Sequence, residues 1–181
     1  MKKIKVLLAA LLSVTVVLGT AVPTYAASSK VLIEVKATDM NVSVTVPSTL
    51  PIVFNADGTN TFPDNWTIEN TSAIAGIHLK QIDMSADGTE WQLLADSVDV
   101  KQQVVNSKSI KFFAGKAGAL KMVVPDNGTE DSSGSVTFEN TDITIASGER
   151  KELSFAVERG AYTDTQASAK AFAMVLNFEF N

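Results

Sequence analysis

The segment that decides the fold is Ala171-Phe-Ala-Met-Val-Leu-Asn-Phe-Glu-Phe180, close to the end of a chain of 181 residues. Every second position in it, from Phe172 to Phe180, carries a large apolar side chain. A period of two directs one set of side chains into a core and the other set to the opposite face of a sheet. The segment therefore predicts a long β-strand laid across the core.

The same period of two recurs from Lys30 onward. It predicts further strands at residues 30–36, 42–46, 66–69, 77–84, 110–113, 120–124, 136–138, 143–145 and 153–157. Within 77–84 the apolar positions slip by one residue between Leu79 and Ile82. Helical periodicity is weak throughout, and the best helical candidate is a short turn within 98–105. We predict an all-β chain that forms a two-sheet antiparallel β-sandwich of about 10–12 short strands.

Three turns contain a glycine after Asp or Asn and before Thr: Asp57-Gly58-Thr59, Asp87-Gly88-Thr89 and Asn127-Gly128-Thr129. Such pairs accept positive φ in tight hairpin turns. Their oxygen atoms are also the ligands that calcium prefers, but the spacing does not match a twelve-residue calcium loop. Hairpin turns explain them without a bound ion, and we predict no metal site.

The first 26 residues have the pattern of a secretory signal peptide. A basic start at Lys2, Lys3 and Lys5 precedes an apolar run over 6–18, and Thr24-Tyr25-Ala26 supplies the small-x-Ala cleavage pattern. The run is too short for a membrane-spanning helix, which needs about 20 apolar residues. We therefore predict a secreted chain with one β-sandwich domain over residues 27–181 and no membrane association after the signal is removed.

Composition excludes several classes of function. Loss of the three signal lysines reduces 15 basic residues to 12 against 20 acidic ones, a formal charge of −8 for the mature chain. This charge disfavours nucleic acid and anionic lipid as partners. The chain has no cysteine and a single histidine, so thiol catalysis, disulfides, Cys-ligated zinc and imidazole clusters are excluded.

No arrangement of residues indicates catalysis. His78 has the opposite parity to Ile77 and Leu79, which predicts an exposed side chain on a strand rather than the base of a nucleophilic triad. No nucleophile elbow or phosphate-binding loop is present, and no pair of carboxylates stands out by its spacing. We predict a protein that is not an enzyme and has neither catalytic residues nor a cofactor.

The large amphipathic aromatic residues of the mature chain are Trp66, Trp91 and Tyr162. Rings of this kind form stacking platforms in carbohydrate-binding sandwiches. Tryptophans at strand starts are equally typical of sandwich cores, and this interpretation is favoured for Trp66 and Trp91.

The tripeptide Trp91-Gln-Leu93 follows a predicted strand and a glycine turn, and in this it resembles the first motif of the WxL cell-surface domains. Those domains are exported, non-catalytic β-sandwiches of Gram-positive bacteria that associate non-covalently with peptidoglycan. Near the end of the chain, where that family has a second motif, Phe178 and Phe180 stand in place of its tryptophan. The resemblance implies peptidoglycan or another glycan as a partner, with Trp91 and Leu93, together with Trp66 and Tyr162, as candidate ligand contacts.

A second resemblance is to the camelysin/TasA-type subunits of biofilm fibres. It rests on residues 44–52 and on Trp66-Thr-Ile-Glu-Asn70 with the turn that follows. Members of that group polymerise by exchanging β-strands. The resemblance implies that the strand over 30–36, next to the cleavage site, leaves its own sheet edge and completes the sheet of a neighbouring copy.

We therefore predict a non-catalytic secreted protein of the cell surface, wall-associated or adhesive through a sandwich surface. The alternative is a self-assembling subunit of an extracellular matrix, a homo-oligomer formed through an edge strand. A carbohydrate-binding module or hydrolase is the third class.

Overall fold

The computed structural model describes residues 26–37, 43–55, 57–73, 75–86, 88–163 and 169–180. Of the predicted signal peptide only Ala26 lies within these residues. The described strands are β1 (Ala26–Ala37), β2 (Val44–Thr45), β3 (Thr49–Asn55), β4 (Asn60–Thr61), β5 (Thr67–Asn70), β6 (Ile77–Ala86), β7 (Gln92–Leu94), β8 (Ser109–Lys116), β9 (Ala119–Met122), β10 (Val124–Pro125), β11 (Glu130–Asp131), β12 (Ser133–Thr137), β13 (Thr144–Ile145), β14 (Arg150–Glu152), β15 (Ser154–Arg159) and β16 (Ala169–Phe180). A 3-10 turn at Val100–Gln102 lies within the predicted helical candidate.

The all-β prediction is confirmed, but the described residues form more strands and more sheets than predicted. Within the described residues, sixteen strands form three sheets. The largest sheet has the order β10-β12-β6-β16-β1-β3-β4, with β13 also on β6. The second has the order β11-β7-β8-β15, with β9 on β8, and the third has β14-β5-β2.

The predicted strand at 120–124 is divided because the chain passes from one sheet to another, and the predicted strand at 153–157 begins at a second passage of this kind. Val123 separates β9, which pairs with β8, from β10, which pairs with β12. Leu153 separates β14, which pairs with β5, from β15, which pairs with β8. Both residues are buried. Leu153 keeps the parity of Phe155 and Val157, so the alternation runs through that passage, whereas Val123 is buried out of phase with Leu120, Met122 and Val124.

Most strand pairs are antiparallel, as predicted, but β1 with β16 and β7 with β8 are parallel. Residues 29–37 of β1 pair with 169–178 of β16, and residues 26–32 pair with 49–55 of β3. The strand predicted at 30–36 is thus part of β1, but it does not lie at a sheet edge. This expectation was wrong because β16, the last strand, closes the side of β1 that β3 leaves open.

The slip predicted in β6 is confirmed by its register with β16. Gln81 pairs with Asn177 and Leu79 pairs with Phe178, so Lys80 is an extra residue, or β-bulge, between them. The bulge lets both apolar pairs, on either side of Lys80, face the core.

A single apolar cluster joins the three sheets. The largest fully buried side chains, all but Leu94 in this cluster, are Phe112, Phe172, Leu50, Ile52, Ile68, Ile77, Leu79, Ile82, Met84, Leu93, Leu94 and Ile110. They come mainly from alternate positions of β3, β6, β8 and β16. The core therefore lies on the inner face of the largest sheet, with the other two sheets packed against it.

Candidate functional site

The candidate ligand-contact residues lie mainly in the core. Trp91, Leu93 and Trp66 are 6%, 0% and 3% exposed, and Tyr162 is half-buried. This is the arrangement that the core interpretation of the two tryptophans predicts. The two indole rings are therefore covered by the core.

Trp91 belongs to an aromatic cluster formed with Phe54, Tyr162 and Phe172. Its ring stacks on Tyr162 with centroids 6.3 Å apart and planes 17° apart, and lies 6.0 Å from Phe54 and 6.3 Å from Phe172. Contacts of this kind add stabilisation beyond that of the buried area. The cluster joins the β3 and β16 side of the core to the start of β7.

Trp66 is separate from the aromatic cluster. It meets Phe155 edge to face at 5.2 Å, and its indole Nε1 donates to the backbone oxygen of Thr49 at 3.3 Å. The ring thus holds the residue that precedes β5 against β15 and the start of β3.

Arg159 covers the outer side of the aromatic cluster. Its guanidinium carbon lies 4.9 Å from the ring centre of Phe54 and 5.4 Å from that of Tyr162. Nη2 donates to the backbone oxygen of Asn55, and Nε donates to Oδ1 of Asn60. Burial lowers the pKa of Arg159 and raises the pKa of Tyr162 to about 12. The Tyr162 hydroxyl, which stays protonated at neutral pH, donates to the backbone oxygen of Ser107.

A cleft of about 410 Å³ opens beside Arg159, and sequence reasoning did not find it. It lies between β15, the 3-10 turn, β8 and the turn before β4. Its lining residues are Gly58, Asn60, Asp99, Val100, Lys101, Lys111, Val157, Glu158 and Arg159.

Lys111 is the unusual member of this cleft, because it is a lysine with only 7% exposure. Its Nζ donates to the backbone oxygen of Asp96 at 2.8 Å, and lies 3.7 Å from Oδ1 of Asp96 and 3.9 Å from Oε2 of Glu158. Buried lysines require polar partners. In the sequence, this buried lysine is indicated by its position between Ile110 and Phe112 in an otherwise apolar predicted strand.

The prediction of an exposed His78 was wrong. Its side chain is 2% exposed, and its neighbours Ile77 and Leu79 are fully buried. Three successive buried residues show that this end of β6 is enclosed on both faces, so alternation no longer separates core from solvent. Nε2 of His78 lies 3.7 Å from Oε2 of Glu179, on the neighbouring strand β16.

The glycine turns adopt the predicted conformation, with positive φ at Gly58, Gly88 and Gly128. In the first, the Asp57 carboxylate accepts hydrogen bonds from the backbone and the hydroxyl of Thr59, which lower its pKa. Thr89 donates to the backbone oxygen of Ala171, 2.8 Å away. The described residues contain no cluster of three or more acidic or histidine side chains suited to a metal ion.

The position of β1 forms a second candidate site, which involves backbone rather than side chains. Residues 29–32 have strand partners on both sides, in β16 and in β3. Ile33, the next residue, contributes to the core at 9% exposure. The space between β3 and β16 is thus a slot that receives one extended segment.

Comparison of the chain with protein-family models, with curated proteins and with solved structures finds no match. The resemblances to WxL domains and to camelysin/TasA-type subunits therefore stay predictions. No helix among the described residues has the length and apolar character needed to span a membrane.

Proposed function

We propose that this chain is a non-catalytic extracellular structural protein that assembles by exchanging β1 between copies. The observation that supports this proposal is the place of β1: it fills the slot between β3 and β16, directly after the predicted cleavage site. With the signal removed after Ala26, β1 becomes the first segment of the mature chain. Strand β1 can then leave its slot without displacing a segment that precedes it.

Withdrawal of β1 exposes unpaired backbone groups on two strands at once. Only another extended segment with the same apolar pattern satisfies both edges, and β1 of a second copy does so with the same contacts. The exchanged and unexchanged forms therefore differ little in contact energy, which is the condition for domain swapping. Because donor and acceptor surfaces are different, the exchange continues from copy to copy unless a ring closes.

The buried aromatic residues favour this function over wall attachment through a stacking surface. Trp91 and Leu93 are covered by the core, so a glycan would reach them only after local unfolding. The non-catalytic part of the proposal is supported by the position of His78, which is buried beside Glu179 rather than placed at a cleft.

A disulfide that holds β1 in its own slot tests the proposal. Ser28 lies opposite Val53 in the antiparallel β1–β3 ladder, where facing Cα atoms are about 4.5–5.5 Å apart and suit a disulfide. The chain has no natural cysteine, so Ser28→Cys with Val53→Cys forms one defined crosslink. Residues 27–181 carrying this pair should assemble when reduced and stay monomeric when oxidised, as measured by light scattering.

The matched control is Ser85→Cys with Ala173→Cys, a facing pair that joins β6 to β16 and leaves β1 free. Its oxidised form should assemble like the wild-type chain. Assembly of the oxidised β1 pair at the control rate would contradict strand exchange, as would a wild-type chain that stays monomeric at high concentration.

A further inference from the structure

We propose that the cleft beside Arg159 binds one neutral sugar unit, with Lys111 as hydrogen-bond donor and Glu158 as acceptor. This site is separate from the β1 slot: Lys111 and Glu158 lie on β8 and β15 of the five-stranded sheet. The inference therefore does not depend on the proposed assembly.

Lys111 has more donors than the protein uses. An ammonium group has three N–H donors, and the backbone oxygen of Asp96 accepts one of them at 2.8 Å. The two nearest carboxylate oxygens, on Asp96 and Glu158, are 3.7 Å and 3.9 Å away, beyond hydrogen-bond distance. A buried cation and an acceptor are thus held 3.9 Å apart at the wall of an open cleft.

A hydroxyl group fits this gap because it accepts and donates at once. An oxygen placed about 2.8 Å from Nζ of Lys111 and from Oε2 of Glu158 spans their separation with ordinary hydrogen-bond lengths. Asp99 adds a second acceptor at the same cleft, and Lys101 adds a second donor. A ring carrying several hydroxyls matches alternating donors and acceptors of this kind.

An anion fits less well. Arg159 already donates from Nε, Nη1 and Nη2 to oxygens of Asn60, Gly160 and Asn55, so the protein uses three of its five N–H donors. A phosphate or carboxylate bound to Lys111 would meet the carboxylates of Glu158 and Asp99 on the same wall. Repulsion by those two carboxylates disfavours the binding of an anionic ligand.

The shape of the cleft agrees with a small ligand. Its volume of about 410 Å³ lies in the lower part of the range for small-molecule sites, about 300–1,000 Å³. Val100, which is partly exposed, adds apolar surface beside the polar groups, which suits a C–H face of a sugar ring.

Saturation-transfer NMR on residues 27–181 tests the site, because it observes the sugar and works for monomers and assemblies alike. The probes are N-acetylglucosamine and glucose, with inorganic phosphate as the anionic comparison. The wild-type chain should bind at least one sugar. Lys111→Met, which keeps the apolar stem and removes the ammonium, should weaken that binding about tenfold, the effect of losing one charged hydrogen bond.

The control is Lys121→Met, which removes a lysine paired with Asp142 away from the cleft and should bind as the wild type does. Circular dichroism confirms that both variants fold. The proposal would be overturned if neither sugar showed transfer, or if the Lys111→Met variant bound sugar as well as the wild type does. Binding of phosphate alone, dependent on Lys111, would also overturn it. Glu158→Gln offers a second variant, expected to weaken sugar binding, and it keeps the test decisive if Lys111→Met does not fold.

Discussion

The indole of Trp91 lies stacked on the phenol of Tyr162, with ring centres 6.3 Å apart and planes 17° apart. Two residues that were candidates for contact with a ligand thus contact each other. Their arrangement makes the Trp91-Gln-Leu93 tripeptide a structural element, because it holds the start of β7 against the segment that follows β15.

Replacement of Trp91 by Ala should lower the free energy of unfolding by about 3–5 kcal/mol, because it leaves a cavity among Phe54, Tyr162 and Phe172. Denaturant unfolding followed by circular dichroism measures the change. Val104→Ala is the control: its side chain is 79% exposed, and the change should stay within about 0.5 kcal/mol. A folded Trp91→Ala variant of wild-type stability would show that the ring does not support the core.

Tyr162 should make stability fall at high pH. Burial raises its pKa to about 12, whereas an unfolded tyrosine titrates near pH 10. The contribution of the protonated phenol is complete below about pH 10 and is lost as pH rises toward 12, because the unfolded chain releases the proton first. Tyr162 is the one tyrosine after Ala26, so tyrosinate absorbance of the mature chain reports on it alone. Titration near pH 10 in a chain that is still folded would contradict the shift.

Asn60 should contribute strongly to the free energy of unfolding for a partly exposed residue on an edge strand. Its Nδ2 donates to the backbone oxygen of Val157 at 2.7 Å, and its Oδ1 accepts from Nε of Arg159 at 3.0 Å. These bonds join β4 of the largest sheet to β15 of the second. Asn60→Ala should reduce the free energy of unfolding by about 2 kcal/mol, measured in denaturant. Exposed Asn140→Ala should have an effect below about 0.5 kcal/mol, and equal effects would refute the bridging role.

Two glycines should respond differently to alanine. A Cβ at Gly134 would lie 2.4 Å from the backbone oxygen of Val124 and 2.9 Å from Cδ1 of Leu93, so Gly134→Ala should cost about 3 kcal/mol. Gly118 has φ +79° and open space around its Cα, so Gly118→Ala should cost only about 1 kcal/mol, from backbone strain. Thermal unfolding of both variants measures the difference. Similar costs would mean that the Gly134 contact relaxes.

Local features of this fold could be predicted from the sequence, because they depend on neighbouring residues. Alternation from Phe172 to Phe180 identified β16, and the slip between Leu79 and Ile82 identified the bulge at Lys80. The glycine turns followed from the backbone freedom of glycine, and Gly58 and Gly128 have the expected positive φ.

Pairings between distant segments could not be predicted in the same way. Alternation states which side chains share a face, but not which strand lies alongside. The sequence around Ser29 therefore does not indicate that Ala169 lies beside it. The sequence around His78 likewise does not indicate that Glu179 lies nearby. The cleft could not be predicted for the same reason, because Lys111 and Glu158 become neighbours only when β8 pairs with β15.

Strand β16 lies at the middle of the largest sheet, between β6 and β1. Ser29 of β1 pairs with Ala169 of β16 although the two are 140 positions apart, and contacts of such separation form slowly. Until β16 is in place, β1 and β6 lack the neighbour that they share. During that interval the unpaired edges of β1 and β6 are open to strands from adjacent molecules.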